Sequence, residues 1–95
     1  MVNSEKCSLI WSDYFRYRIH LRGFSLEKIE TILRYSTERY FDTITRRQIV
    51  VGKHDKGLVI IPYEEKENAL SPITIHATSR QQLNFRLKTG RFVHE

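Results

Sequence analysis

The chain has 95 residues, 40% of them apolar and 12% aromatic, which is enough for one modest core and too much for a disordered chain. Its 16 Lys and Arg against 11 Asp and Glu give a net charge of +5, and the one cysteine, Cys7, excludes an internal disulfide framework and a cysteine-based zinc site. No apolar run approaches the roughly 20 residues that span a bilayer, and the opening MVNSEKCSLIW lacks the apolar stretch of a signal peptide, so the expectation is a cytoplasmic protein that does not engage a membrane.

Residues 7–11 (CSLIW) form a short apolar run that predicts a first strand. Ser12 is placed to cap a helix, with Asp13 in its first turn and Phe15 and Ile19 four apart on one face. Gly23 supplies a left-handed residue to end that helix, and Ser25 caps a second one over residues 26–35. There Leu26, Ile29, Ile32 and Leu33 make an apolar stripe, with Glu30 and Arg34 as an i,i+4 pair on the wet side. Residues 39–43, 48–54 and 58–64 are rich in Tyr, Phe, Val and Ile and predict strands. Turns are expected at residues 45–47 and at Asp55-Lys56-Gly57, where Gly57 can take positive φ. The polar residues 64–71 suggest an exposed connection, after which Pro72 starts a last strand over residues 73–77. Thr78 or Ser79 then caps a helix from Arg80 to Lys88 that Gly90 ends, with Leu83 and Leu87 inward. The order β-α-α-β-β-β-β-α, with no repeat and no linker, predicts a single α+β domain over residues 1–95. Its expected form is a small antiparallel sheet packed on two N-terminal helices, with a short C-terminal helix.

The positive charge is concentrated. Arg16, Arg18 and Arg22 in the first helix, Arg39 to Lys56 in the middle, and Arg80 to the C-terminus each carry a net +3, offset by Glu64, Glu65 and Glu67. If they converge on one face, they would bind a polyanion by neutralising phosphate. If they do not, each is an ordinary solvated face.

The stretch SDYFRYRIHLRGFS resembles the opening of small RelE/ParE-superfamily proteins, especially the BrnT-like ones and a related domain family of unknown function. Ser12, Arg18, Arg22, Gly23 and Ser25 fall in step with that opening, while Tyr14 stands where a histidine is usual. The end, ITIHATSRQQLNFR, resembles the BrnT-like close, with His76 where an arginine is commoner. The resemblance implies the toxin of a toxin–antitoxin pair. Such a toxin would be an endoribonuclease that cleaves mRNA without a metal, in some cases at the ribosome, and is silenced by a cognate antitoxin protein. The ParE branch instead poisons DNA gyrase, and the alternative is a non-catalytic binding module of the same fold that engages nucleic acid or a protein target such as gyrase.

Metal-free RNA cleavage needs a group to take the proton of the ribose 2′-OH, one to protonate the leaving 5′-oxygen, and cations to hold the phosphate. Histidine and arginine suit these roles. His76 is the first candidate, because strand alternation sets it with Thr74, opposite Ile73 and Ile75, just before the helix that begins at Arg80. His54, beside Lys53, is the second, and a solvated hairpin end is its rival reading. Arg46 and Arg47 in a turn, with Lys53, Arg22, Arg86 and Lys88, are candidate phosphate contacts, and Tyr63 could stack on a base. Arg18 is expected to pin the helices to the sheet by pairing with Glu30, Glu38 or Asp42. His20 is expected in solvent, His94 mobile next to the C-terminus, and Cys7 in the core. With no Gly-rich phosphate loop, no HExxH and no regular carboxylate cluster, no cofactor or metal is expected.

Overall fold

The computed structural model describes residues 7–95. Strand β1 (Ser8–Leu9) is followed by helices α1 (Asp13–Leu21) and α2 (Leu26–Tyr35) and strands β2 (Arg39–Asp42), β3 (Arg47–His54), β4 (Gly57–Lys66), β5 (Ala69–Pro72) and β6 (His76–Thr78). Helix α3 (Arg80–Lys88) and strand β7 (Phe92–His94) complete the chain. The fold is α+β: two N-terminal helices, a mixed and mostly antiparallel seven-stranded sheet, and a short C-terminal helix.

All three helices begin at serine caps. Ser12, Ser25 and Ser79 each accept the backbone N–H three residues on, at 3.0, 3.3 and 3.2 Å, satisfying a donor that the helix itself leaves open. Gly23 and Gly90 follow α1 and α3 at φ +74 and +81, conformations in which a Cβ would be strained.

The sheet runs β1-β5-β4-β3-β2-β7, and β6 pairs with the front half of β4. Against one side lie α1 and α2. Phe15, Ile19, Ile29, Ile32 and Leu33 from the helices meet Val50, Val59, Ile61, Tyr63, Leu70 and Ile75 from the sheet. Gly52 lets α2 sit close to β3, since a Cβ there would fall 2.5 Å from Ile32 Cγ1. On the other side α3 places Leu83 over Tyr40, Ile49, Val51, Ile60 and Phe92, with Leu58 and Leu87 at the margin, a smaller core under one short helix.

Several details differ from the expectation. Residues 64–71 are no loose connection: β4 continues to Lys66, turns through Glu67 and Asn68 at φ +50 and +64, and returns as β5. Consecutive positive-φ residues make the tight hairpin that matches strand twist. Gly57 keeps an ordinary φ, and Asp55 takes the left-handed position (φ +57) instead, its carboxylate held by Lys28. The first turn spans residues 43–46, because Asp42 Oδ1 accepts the N–H groups of Ile44 and Thr45 at 2.9 and 3.3 Å. Strand β1 pairs in parallel with β5, so the sheet is mixed, and β7 adds an antiparallel strand beside β2. His94, in β7, stays exposed while its ring meets that of Tyr40 edge-on. Pro72 closes β5 where a new strand was expected to start.

One irregularity positions the candidate site. Tyr63 pairs with Pro72 and Ile60 with His76, so two residues of β4 face three residues between β5 and β6. The extra residue is a β-bulge. Regular alternation from Pro72 would have put His76 on the side of Tyr63, among the N-terminal helices. The bulge moves it to the side of Ile60, under α3, while Ile75 enters the helix-side core.

Candidate functional site

Because α3 is short, it covers only part of its side of the sheet. Beside it remains a cavity of about 480 Å³, floored by Ile49, Ile60, Pro62 and Phe92 and walled by Thr74, His76, Gln82, Arg47, Arg86, Arg91 and Asp42. Ile73 also lines it, contrary to simple alternation, because the bulge intervenes.

His76 is exposed at the rim. Partial desolvation, and then the positive charges of Arg22, Arg86 and Arg18, lower its pKa from the ordinary 6.5. At neutral pH its imidazole is therefore uncharged and keeps a lone pair for a proton. The three arginines are held without carboxylates. Arg22 donates to the Ile75 carbonyl at 3.0 Å, Arg86 lies over the Phe92 ring at 5.4 Å, and Arg18 lies over Tyr14 at 5.6 Å while donating to its hydroxyl at 2.7 Å. Among the described residues the carboxylates in ion pairs are taken elsewhere, so no acid neutralises these three. The expected pairing of Arg18 with Glu30, Glu38 or Asp42 does not occur: Glu30 holds Arg34, Glu38 holds Arg80 and Asp42 holds Arg91.

The remaining candidates are placed apart from His76. His54 is buried on the opposite side of the sheet, where its Nε2 accepts the Ser25 N–H at 2.9 Å and Phe24 meets its ring edge-on. A backbone donor on Nε2 leaves the ring proton on Nδ1, which faces Asp55 at 3.4 Å. His54 is thus part of the packing beneath the α1–α2 turn. Arg80 makes a two-pronged bond to Glu38 at 2.5 and 2.9 Å, and the Tyr40 hydroxyl adds a third at 2.6 Å. The Arg80 bond holds the Glu38 carboxyl below its usual range, and burial next to that carboxylate pushes the Tyr40 hydroxyl up to about 12. Arg80 is accordingly engaged by a carboxylate, in an ion pair whose arginine side stays exposed.

Arg47 reaches the cavity wall but pairs with Glu64 at 2.7 Å, and Arg46, in a left-handed turn position, lies over Phe41. Lys53 borders a separate groove with Glu27, Lys28 and Thr31, and Lys88 is exposed at the end of α3. Tyr63 is 2% exposed and accepts a bond from Arg39 at 3.1 Å, so no base can stack on it. Cys7 is buried in the helix-side core and His20 is exposed, both as expected.

No protein-family model, curated protein or solved structure matches this chain. The chemistry of the site therefore rests on its own residues.

Sequence reasoning passed over Arg91 and Asp42. Asp42 is 3% exposed, and Arg91 grips both its oxygens at 3.2 and 3.1 Å. Burial would raise the Asp42 carboxyl, but the bonds from Arg91, Ile44 and Thr45 prevail and hold it below the usual range. The two are 49 residues apart and meet only because β7 returns beside β2, so no local pattern marks them. Among the described residues no group of three His, Cys, Asp or Glu side chains is placed to hold a metal. No helix among them is long and apolar enough to cross a membrane. What the rim offers is one neutral histidine with Arg86 on the same wall and Arg22 on the adjoining backbone carbonyl, neither paired to a carboxylate among the described residues, a combination suited to holding a phosphate and accepting a proton close to it.

Proposed function

We propose that this chain binds RNA on its His76 face and cleaves it without a metal ion, as a cytoplasmic toxin of the RelE/BrnT-like type held in check by a cognate antitoxin. The observation that carries the reading is the exposed His76, which shares the cavity wall with Arg86 and has Arg22 bonded to the carbonyl of the preceding Ile75, neither arginine having a carboxylate partner among the described residues. In the proposed reaction, the neutral imidazole of His76 takes the proton of a ribose 2′-OH. The 2′-oxygen forms its bond to phosphorus, the bond to the 5′-oxygen breaks, and water protonates the leaving oxygen, giving a 2′,3′-cyclic phosphate end. The guanidinium groups hold the phosphate as its charge develops.

The test is incubation of purified protein with single-stranded RNA in EDTA. Cleavage is expected, and His76→Ala should lower its rate by about 100-fold or more at an unchanged unfolding temperature, since the side chain is exposed. Intact RNA at high protein concentration, with and without ribosomes, overturns the nuclease reading.

A second reading is a non-catalytic module of the same fold that binds nucleic acid or a protein target such as DNA gyrase. It is favoured by the burial of His54 on the far side and the capture of Arg80 by Glu38, which leave one proton-handling side chain at the rim. Salt-dependent RNA binding with no cleavage in a long incubation selects it.

A further inference from the structure

Helix α1 is buried along Phe15 and Ile19 alone. Its opposite side carries three large side chains in solvent, Tyr14, Tyr17 and Leu21, at 64%, 61% and 63% exposure. Spacings of three and four put them on one stripe, with about 4.5 Å of rise between the tyrosines. This is not an ordinary amphipathic surface, because the polar positions around the stripe are cationic. Arg16, Arg18 and Arg22 face the single acid Asp13, and none of the three has a carboxylate partner among the described residues.

The stripe is also continuous with the candidate site. Tyr14, Arg18 and Arg22 stand at i, i+4 and i+8. Arg18 is fixed on the Tyr14 ring and hydroxyl, and Arg22 reaches the carbonyl of Ile75, the residue before His76. A ring and two guanidinium groups thus run along α1 to the backbone of the residue that precedes His76.

We infer that the outer face of α1 is a binding track for single-stranded RNA, on which Tyr14 and Tyr17 stack unpaired bases while Arg18 and Arg22 hold the phosphates leading to His76. This deepens the RNA reading above and rests on it. Exposed rings between cations match the two demands of a single strand, a flat apolar surface for each base and positive charge for the backbone. A duplex, whose bases are already stacked, offers nothing to the tyrosines. An apolar partner helix would have to bury the arginines without acids to pair them.

The test uses fluorescence anisotropy on the full chain with two probes that cannot be cleaved: a 2′-O-methyl RNA single strand of about 12 nucleotides and a duplex of the same length. Tyr14→Ala and Tyr17→Ala are each expected to weaken single-strand binding about tenfold, the magnitude of one lost base stack. Tyr14→Phe and Tyr17→Phe, which keep the rings, should stay within about twofold of wild type. The salt dependence of binding should be unchanged in Tyr17→Ala, which removes no phosphate contact, whereas Tyr14→Ala also releases Arg18 from the ring and hydroxyl that fix it. Phe85→Ala, which removes a 66% exposed ring from α3, is the control and should bind as wild type.

Wild-type binding to the single strand with no loss in the double alanine variant overturns the track while leaving the RNA reading intact. Equal losses on single strand and duplex also overturn it, since stacking would not be the cause. Failure of the wild type to bind either probe overturns both. Concentration-dependent self-association that the double variant abolishes would assign the stripe to a second copy of this chain and overturn the track.

Discussion

His54 and His76 lie on opposite sides of the sheet, and the fold uses them in opposite ways. Under α1 and α2, His54 is enclosed, its Nε2 spent on the Ser25 N–H and its ring edge on Phe24. Under α3, His76 is exposed, surrounded by positive charge, and forms no side-chain hydrogen bond to a described residue. Two helices bury twelve core residues on their side, whereas one nine-residue helix leaves a cavity of about 480 Å³ next to it. The difference teaches that in a domain this small the extent of helix cover decides which polar residues become structure and which remain available for chemistry.

The sharpest way to break that contrast is to remove each histidine in turn. His76→Ala is expected to abolish cleavage and leave stability unchanged. His54→Ala should do the reverse, costing about 1–3 kcal/mol by stranding the Ser25 N–H, with cleavage per folded molecule retained. Urea unfolding and RNA cleavage on both variants check this, and loss of cleavage in a fully folded His54→Ala protein would contradict the assignment.

A second experiment probes the closed side alone. A Cβ at position 52 would stand 2.5, 2.6 and 2.9 Å from three carbons of Ile32, two of them on its branched Cβ, so α2 must shift to admit it. Gly52→Ala should cost about 1–3 kcal/mol, and adding Ile32→Ala should relieve the clash at the expense of a smaller side chain. Denaturation of the single and double variants measures the coupling. Additive losses would show that the close approach of α2 is not what constrains the position.

The smallest effect concerns the open side. His76 acts as a base only when neutral, and its pKa lies below the ordinary 6.5, so the cleavage rate should climb from acid pH with its midpoint below that value. Because Arg86 contributes to lowering it, Arg86→Ala should move the midpoint upward, toward 6.5. A pH–rate profile on both proteins checks the direction, and a downward or absent shift would separate Arg86 from His76.

What was legible in the sequence follows from the range of the forces involved. Helices depend on residues three and four apart, so Ser12, Ser25 and Ser79 as caps, Gly23 and Gly90 as terminators and the stripe of Ile29, Ile32 and Leu33 could all be recognised locally. Strands β3 and β4 announced themselves by their Val and Ile. Strand β7 did not, since three residues with one aromatic carry little pattern, and its existence depends on pairing with β2. The hairpin at Glu67 and Asn68 was hidden because polar residues at positive φ look like loop until strands on both sides are known.

At the candidate site, residue types were informative and their partners were not. His76 and Arg86 could be picked out as chemistry-bearing side chains. That Glu38 takes Arg80, that Asp42 takes Arg91, and that His54 turns inward are decided by contacts between positions 29 to 49 residues apart. By itself the sequence determined the α+β class, the helices with their caps, the basic character and the short list of reactive side chains, because propensity, capping and charge are local properties. Only the tertiary structure decided which arginines stay unpaired and which side of the sheet each histidine occupies. For His76 the side depends on a single extra residue between Pro72 and His76, and inserting one residue in a strand reverses the direction of every side chain beyond it.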